Sequence, residues 1–165
     1  MKKAAIILGS DSDLPVAEKC VSVLDRLNIP REVRVISAHR TPDIARQFAE
    51  NARKNNIGVI VAIAGKSAAL AGVIAAHTRV PVIGVPVKSA DLGGMDALLS
   101  TVQMPPGVPV ACVAIDGGAN AGWLAGRILA VEDEGLSARL DDEAAKMSEG
   151  VVKKDDEIRA RFSQQ

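Results

Sequence analysis

Gly58-Val59-Ile60-Val61-Ala62-Ile63-Ala64, running on into Gly65-Lys66-Ser67, is the stretch that decides the fold. It has no polar side chain before Lys66. That composition predicts a strand covered on both faces, as in a parallel sheet with helices above and below. Comparable runs lie on either side of it. Ala4 to Leu8 reads as a first strand, Val33 to Ser37 as a second, Pro81 to Val85 as a fourth and Val108 to Ile115 as a fifth. Helical patterns separate them. Asp13-Leu14-Pro15 supplies a capping carboxylate and an early proline. Val16, Cys20, Val23, Leu24 and Leu27 then keep helical spacing until Asn28-Ile29-Pro30 ends the run. Thr41-Pro42-Asp43 opens the next helix with the same cap-and-proline signal. Strand, helix and strand in repetition predict an α/β sandwich.

The chain of 165 residues suits a single domain, taken as residues 1–165. With 48% hydrophobic and 24% charged residues it has enough apolar surface for a core. Aromatics make up only 2%, so that core is built from Ala, Val, Ile and Leu. The formal net charge is zero, which argues against a nucleic-acid partner, as does the lack of stacking aromatics. No apolar run reaches the ~20 residues of a membrane span, so no membrane partner is expected. The apolar run after Met1-Lys2-Lys3 is too short for a signal segment and stops at Gly9-Ser10-Asp11. Cys20 and Cys112 sit far apart in apolar segments and read as small buried hydrophobes, in keeping with a reducing, cytoplasmic setting.

The last third changes character. Ala119 to Val131 is an Ala- and Leu-rich helix. From Glu132 the chain is charged and helical in pattern, with Gly135 and Gly150 as expected breaks. Leu136, Leu140 and Met147 give it a thin apolar stripe. Such a helix either packs on a neighbouring subunit or frays in solvent, and the first is the favoured reading.

In doubly wound sheets ligands bind beyond the carboxyl ends of the strands. Three polar loops fall there. Gly9-Ser10-Asp11-Ser12-Asp13 leads from a strand into a helix, so its backbone N–H groups and hydroxyls suit a phosphate, and its aspartates suit ribose hydroxyls. The same residues also serve as plain helix caps. Ser37-Ala38-His39-Arg40 offers an imidazole able to move protons at neutral pH beside a forked permanent cation. His77 is the second histidine and, set in Ala75-Ala76-His77-Thr78, reads as structural, which leaves His39 as the candidate acid/base. Gly65-Lys66-Ser67 resembles the end of a P-loop, but the required earlier glycine falls on Ile60, and a nucleotide triphosphatase is rejected. Ala68, Ala69, Ala71 and Gly72 instead let backbone lie close to a ligand. Gln103 to Pro109 is a rigid turn that either closes a pocket or merely connects. No Cys/His cluster has metal-binding spacing.

Taken together these loops resemble the PurE family. Gly9-Ser10-Asp11-Ser12-Asp13, Ser37-Ala38-His39-Arg40-Thr41-Pro42, Pro81 to Pro86, Leu98 to Pro105 and Asn120-Ala121-Gly122 carry the resemblance, in order, from about Ala4 to Leu129. It implies a flavodoxin-like three-layer αβα fold with a C-terminal helical extension, a homo-octamer with sites at subunit contacts, and neither metal nor organic cofactor. By position, Ser10, Asp13, Ser37 and Arg40 would bind an aminoimidazole ribonucleotide, and His39 would be catalytic. Gly65, Lys66 and Ser67 would flank the carboxylate or carbon dioxide. The family has two chemistries: mutases move a carboxylate from N5 to ring carbon four, and direct carboxylases add carbon dioxide. The mutases usually show Gly-Gly-Ala-Ala-His-Leu-Pro-Gly in the third loop. Here Lys66 replaces the second glycine, Ala69 the histidine and Ala71 the proline. Lys66-Ser67 is closer to the Gly-Arg-Ser-Asn of the carboxylases, while Pro81 to Pro86 and Leu98 to Pro105 are mutase-like. Mutase is the leading reading and direct carboxylation the alternative. A non-catalytic phosphosugar- or nucleotide-binding module is the alternative of another class. A flavodoxin proper is disfavoured by the scarcity of aromatics.

Overall fold

The computed structural model describes residues 1–163. Five parallel strands form one sheet in the order β2-β1-β3-β4-β5: β1 (Lys3–Leu8), β2 (Arg31–Val35), β3 (Ile57–Gly65), β4 (Val82–Val87) and β5 (Ala111–Cys112). The helices are α1 (Leu14–Arg26), α2 (Pro42–Asn51), α3 (Leu70–His77), α4 (Met95–Val102), α5 (Gly118–Ala130) and α6 (Glu134–Phe162). This is the expected three-layer flavodoxin-like sandwich.

The period-two alternation of strand side chains splits the core in two. Ala4, Ile6, Leu8, Val59, Val61 and Ile63 face α1 and α5, where Cys20, Leu24 and Leu27 are buried with Ala121 and Ala125. Ala5, Ile7, Ile60 and Ala62 face α2 and α3, against Phe48, Ala49, Leu70 and Ile74. Small residues set the spacing of the first layer. A Cβ on Gly118 would lie 2.0 Å from the Val16 carbonyl oxygen, and one on Gly122 2.8 Å from Val23 Cβ. Only glycine lets α5 lie this close to α1. The end of α1 is a Schellman turn: Asn28 takes φ 53°, its N–H donates to Asp25 O at 3.0 Å, and the Ile29 N–H donates to Leu24 O at 2.9 Å.

Five expectations need correction. Asp13 makes no side-chain cap for α1. Ser10 caps the preceding 3₁₀ turn instead, its hydroxyl oxygen accepting from the Ser12 N–H. Thr41 likewise gives α2 no side-chain cap, because its hydroxyl is committed to Ser37. The fifth strand is two residues, not eight: pairing with β4 covers only Ile83↔Ala111 and Gly84↔Cys112. Beyond that, Pro86 has no N–H to give. Finally, neither Gly135 nor Gly150 breaks α6, which runs 29 residues. A helical glycine costs only ~1 kcal/mol relative to alanine, and the flanking Ala, Leu, Lys and Glu residues carry the helix through. The second strand also starts earlier than expected, at Arg31, and is an exposed edge strand.

Helix α6 is fixed to the body only near its start. The Asp133 carboxylate accepts from the Leu136 N–H at 2.8 Å, Leu136 is buried, and Arg139 Nε donates to Leu27 O at 2.9 Å. Glu143 pairs with both Arg26 and Lys146, and Arg26 also lies over the Trp123 ring at 5.3 Å. Beyond Glu143 every described residue of the helix is exposed. No helix among the described residues is long and apolar enough to cross a membrane.

Candidate active site

In the order 2-1-3-4-5 the chain leaves β1 toward one face and β3 toward the other, which opens a crevice between their carboxyl ends. A cleft of about 660 Å³ lies there. The first loop contributes Gly9, Ser10, Ser12 and Asp13, and the second contributes Ser37, Ala38, His39 and Arg40. The third contributes Gly65, Lys66, Ser67 and Ala69. All eight sequence-predicted site residues, Ser10, Asp13, Ser37, His39, Arg40, Gly65, Lys66 and Ser67, therefore line one cavity.

Local bonding explains how His39 is presented. The Ser37 N–H donates to Thr41 Oγ1 at 3.0 Å, the Thr41 hydroxyl donates to Ser37 O at 2.9 Å, and the Arg40 N–H donates to Ser37 Oγ at 3.1 Å. These bonds close a tight ring from which the exposed His39 ring projects, with no hydrogen bond from a described residue. The Arg40 guanidinium reaches across to Gly9 O at 3.4 Å and ties the second loop to the first.

Charge in the cleft is lopsided. Arg40, Lys66 and Lys88 bring three cations, and Asp13 is the one carboxylate among the described residues of the lining. Asp13 is buried, and that burial pushes its carboxyl above the ordinary range, partly countered by hydrogen bonds from the Ser10 backbone and the Ser12 hydroxyl. The cleft thus suits a ligand with several negative charges, and Asp13 suits a hydroxyl donor. Ala38, Ala64, Leu70 and Val87 supply apolar wall for a flat ring.

A fourth loop escaped the sequence reading. Lys88, Ser89 and Ala90 follow β4 and complete the rim. The carboxyl-edge rule that singled out three loops applies equally to the end of β4. This loop is rooted by Asp116, at φ 56°, which accepts from the Lys88 N–H at 2.9 Å and donates its own N–H to Pro86 O at 2.9 Å. Other features fall outside the cleft. His77 ends α3 at the opposite edge of the sheet and is exposed rather than packed. The Gln103–Pro109 turn does not line the cleft, and Met104 packs instead over Gly72. Cys20 is buried, with its thiol pushed up to about 12 by desolvation, whereas Cys112 is only half-buried on β5, not the fully buried hydrophobe expected.

Lys66 is the unusual member of the set. Its backbone sits at φ 51°, the left-handed region that glycine occupies freely. Its ammonium lies 3.3 Å from Asp91 Oδ2.

Strand order and a cleft at the switch point define a flavodoxin-like α/β protein with a candidate site at the carboxyl edge. Residues 3–150 match the family described as AIR carboxylase, and the chain belongs to that family. It is 49% identical over 155 residues to the N5-carboxyaminoimidazole ribonucleotide mutase of Bacillus subtilis, covering 93% of this chain and 96% of that one. Identity to the mutase of Haemophilus influenzae is 54% over 138 residues, 82% of this chain and 84% of that one. The crystal structure of Treponema denticola PurE superposes with a TM-score of 0.87 at 27% identity, over 94% of this chain and 98% of that one.

Proposed function

We propose that this chain is a purine-biosynthesis enzyme that moves the carboxylate of N5-carboxyaminoimidazole ribonucleotide to ring carbon four. The observation that carries the reading is one cleft holding His39 among Arg40, Lys66 and Lys88, in a chain about half identical to two mutases. In this reading Ser10, Ser37 and Arg40 bind the phosphate end and Asp13 accepts from a ribose hydroxyl. Gly65, Lys66 and Ser67 flank the carboxylate.

The steps follow from the ring chemistry. The carbamate N–C bond breaks, its electron pair stays on nitrogen, and nitrogen takes up a proton. The enamine-like carbon four attacks the released carbon dioxide, and the proton on that carbon then leaves. One proton is delivered and one removed, so a single imidazole, His39, serves both transfers and ends as it began. Holding carbon dioxide beside the ring keeps the recombination effectively unimolecular.

The test supplies the purified protein with each of two substrates. The N-carboxylated ribonucleotide without bicarbonate should turn over. The uncarboxylated one with high bicarbonate should do so poorly. The reverse preference would make the enzyme a direct carboxylase, the outcome that Gly65-Lys66-Ser67 would explain. His39→Asn should lose about 100- to 10,000-fold in kcat while still binding. Binding without turnover in the unsubstituted protein would leave a ribonucleotide-binding module.

The same reading includes a cytoplasmic homo-octamer in which α6 packs on a neighbour. In support, Met147, Val151, Val152, Ile158 and Phe162 are exposed on α6. Light scattering of a variant ending at Glu149 checks it: an unchanged assembly would refute the role of α6.

A further inference from the structure

Lys66 holds a left-handed backbone, φ 51°, that a side chain adopts only under strain, at a position where the usual mutase loop has glycine. Its ammonium does not turn outward to water alone. It meets Asp91, which is on the fourth loop just past the cleft residues Lys88, Ser89 and Ala90. Both partners are mostly exposed, with side-chain accessibilities of 74% and 70%. An exposed pair of this kind adds little to stability, so it is easily broken.

The pair bridges the third and fourth loops. The root of the fourth loop is fixed through Lys88 and Asp116. Gly93 and Gly94, with φ of 62° and 91°, make the turn that closes its far end. Between them the described contact to the opposite wall is Lys66–Asp91. The Ser89 hydroxyl on this loop is buried beside the cleft with no hydrogen-bond partner among the described residues. A cation with an exchangeable carboxylate thus lines the cavity from one loop, and the facing loop carries a buried hydroxyl with no partner among the described residues.

We propose that Asp91 is a stand-in counter-ion, exchanged for the carboxylate of the ligand, and so a specificity-determining residue. A carboxylated ribonucleotide replaces Asp91 on Lys66. An uncarboxylated one leaves the Lys66–Asp91 pair intact. This inference rests on the ribonucleotide reading above.

The test is calorimetric binding of two probes, the C-carboxylated product ribonucleotide and its uncarboxylated analogue. Asp91→Asn should tighten the carboxylated probe about three- to five-fold, the scale of an exposed ion pair, and leave the uncarboxylated probe unchanged. Lys66→Met should weaken the carboxylated probe, and adding Asp91→Asn to it should then have no effect. Equal tightening of both probes, no change in either, or a full Asp91→Asn effect without Lys66 would each overturn the exchange. If the unsubstituted protein binds neither probe, the ribonucleotide reading itself fails. Asp91 is at the surface, so the variant's fold is readily checked by thermal melting.

Discussion

Replacing Gly118 with alanine tests how closely α5 must lie on α1, and through α1 how the first loop is placed. The added Cβ would sit 2.0 Å from the Val16 carbonyl oxygen and 3.0 Å from its carbon. Ordinary contact begins near 3.4 Å, so the two helices must separate by more than 1 Å. The obstacle is backbone, and no rotamer change relieves it. Overpacking of this kind costs about 1–3 kcal/mol, and a backbone clash belongs at the upper end. For a domain of this size that is roughly a 5–10 °C fall in Tm. Val16 lies in the first turn of α1, directly after Ser10–Asp13, so the shift reaches the cleft. A 1 Å misplacement can cost about 100-fold in rate. Gly150→Ala is the matched control. Nothing lies within 4 Å of its Cβ, and helix propensity should make it neutral or up to ~1 kcal/mol stabilising. Urea unfolding at fixed protein concentration measures both. A Gly118→Ala midpoint at or above that of the parent, with unchanged slope, would refute the α1–α5 packing described here.

Three further outcomes are expected. Thr41→Val removes both hydroxyl bonds that close the His39 ring and should lower kcat about tenfold, on the scale of one or two hydrogen bonds, while Thr41→Ser restores it; steady-state kinetics decide. Glu143 is held below the ordinary glutamate range by hydrogen bonds from Lys146 and Arg26. Its contribution is therefore present above the unfolded value and lost as pH falls through the lowered folded one. Hydrogen exchange should show α6 loosening in acid, with Glu143→Gln loosened already at neutral pH. A thiol reagent at about pH 8 should modify Cys112 before Cys20, whose burial and raised pKa protect it until unfolding; mass spectrometry locates the label.

Much of this was legible in sequence because it depends on local pattern. The apolar runs at Ala4–Leu8 and Gly58–Ala64 mark strands buried on both faces, and the polar residues immediately after them fall at the carboxyl edge. What was illegible depends on competition for a group or on partners far along the chain. The Thr41 hydroxyl looks like a cap, but Ser37, four residues back, claims it. Val108 to Ile115 has strand composition throughout, but its length is set by how much of β4 can pair. Gly135 and Gly150 look like breaks because propensity is weak, and the surrounding residues outvote it. The Lys66–Asp91 and Lys88–Asp116 contacts join residues 25 and 28 positions apart, beyond any periodic signal.

Each wall of the cleft hangs from a different strand, and the walls meet across empty space more than through shared bonds. That makes the site modular. The third loop can change, while the ring around His39 and the Ser10–Asp13 turn keep their own internal bonding. Evolution, or an engineer, can therefore exchange one wall of the cleft while the bonding within the others stays intact.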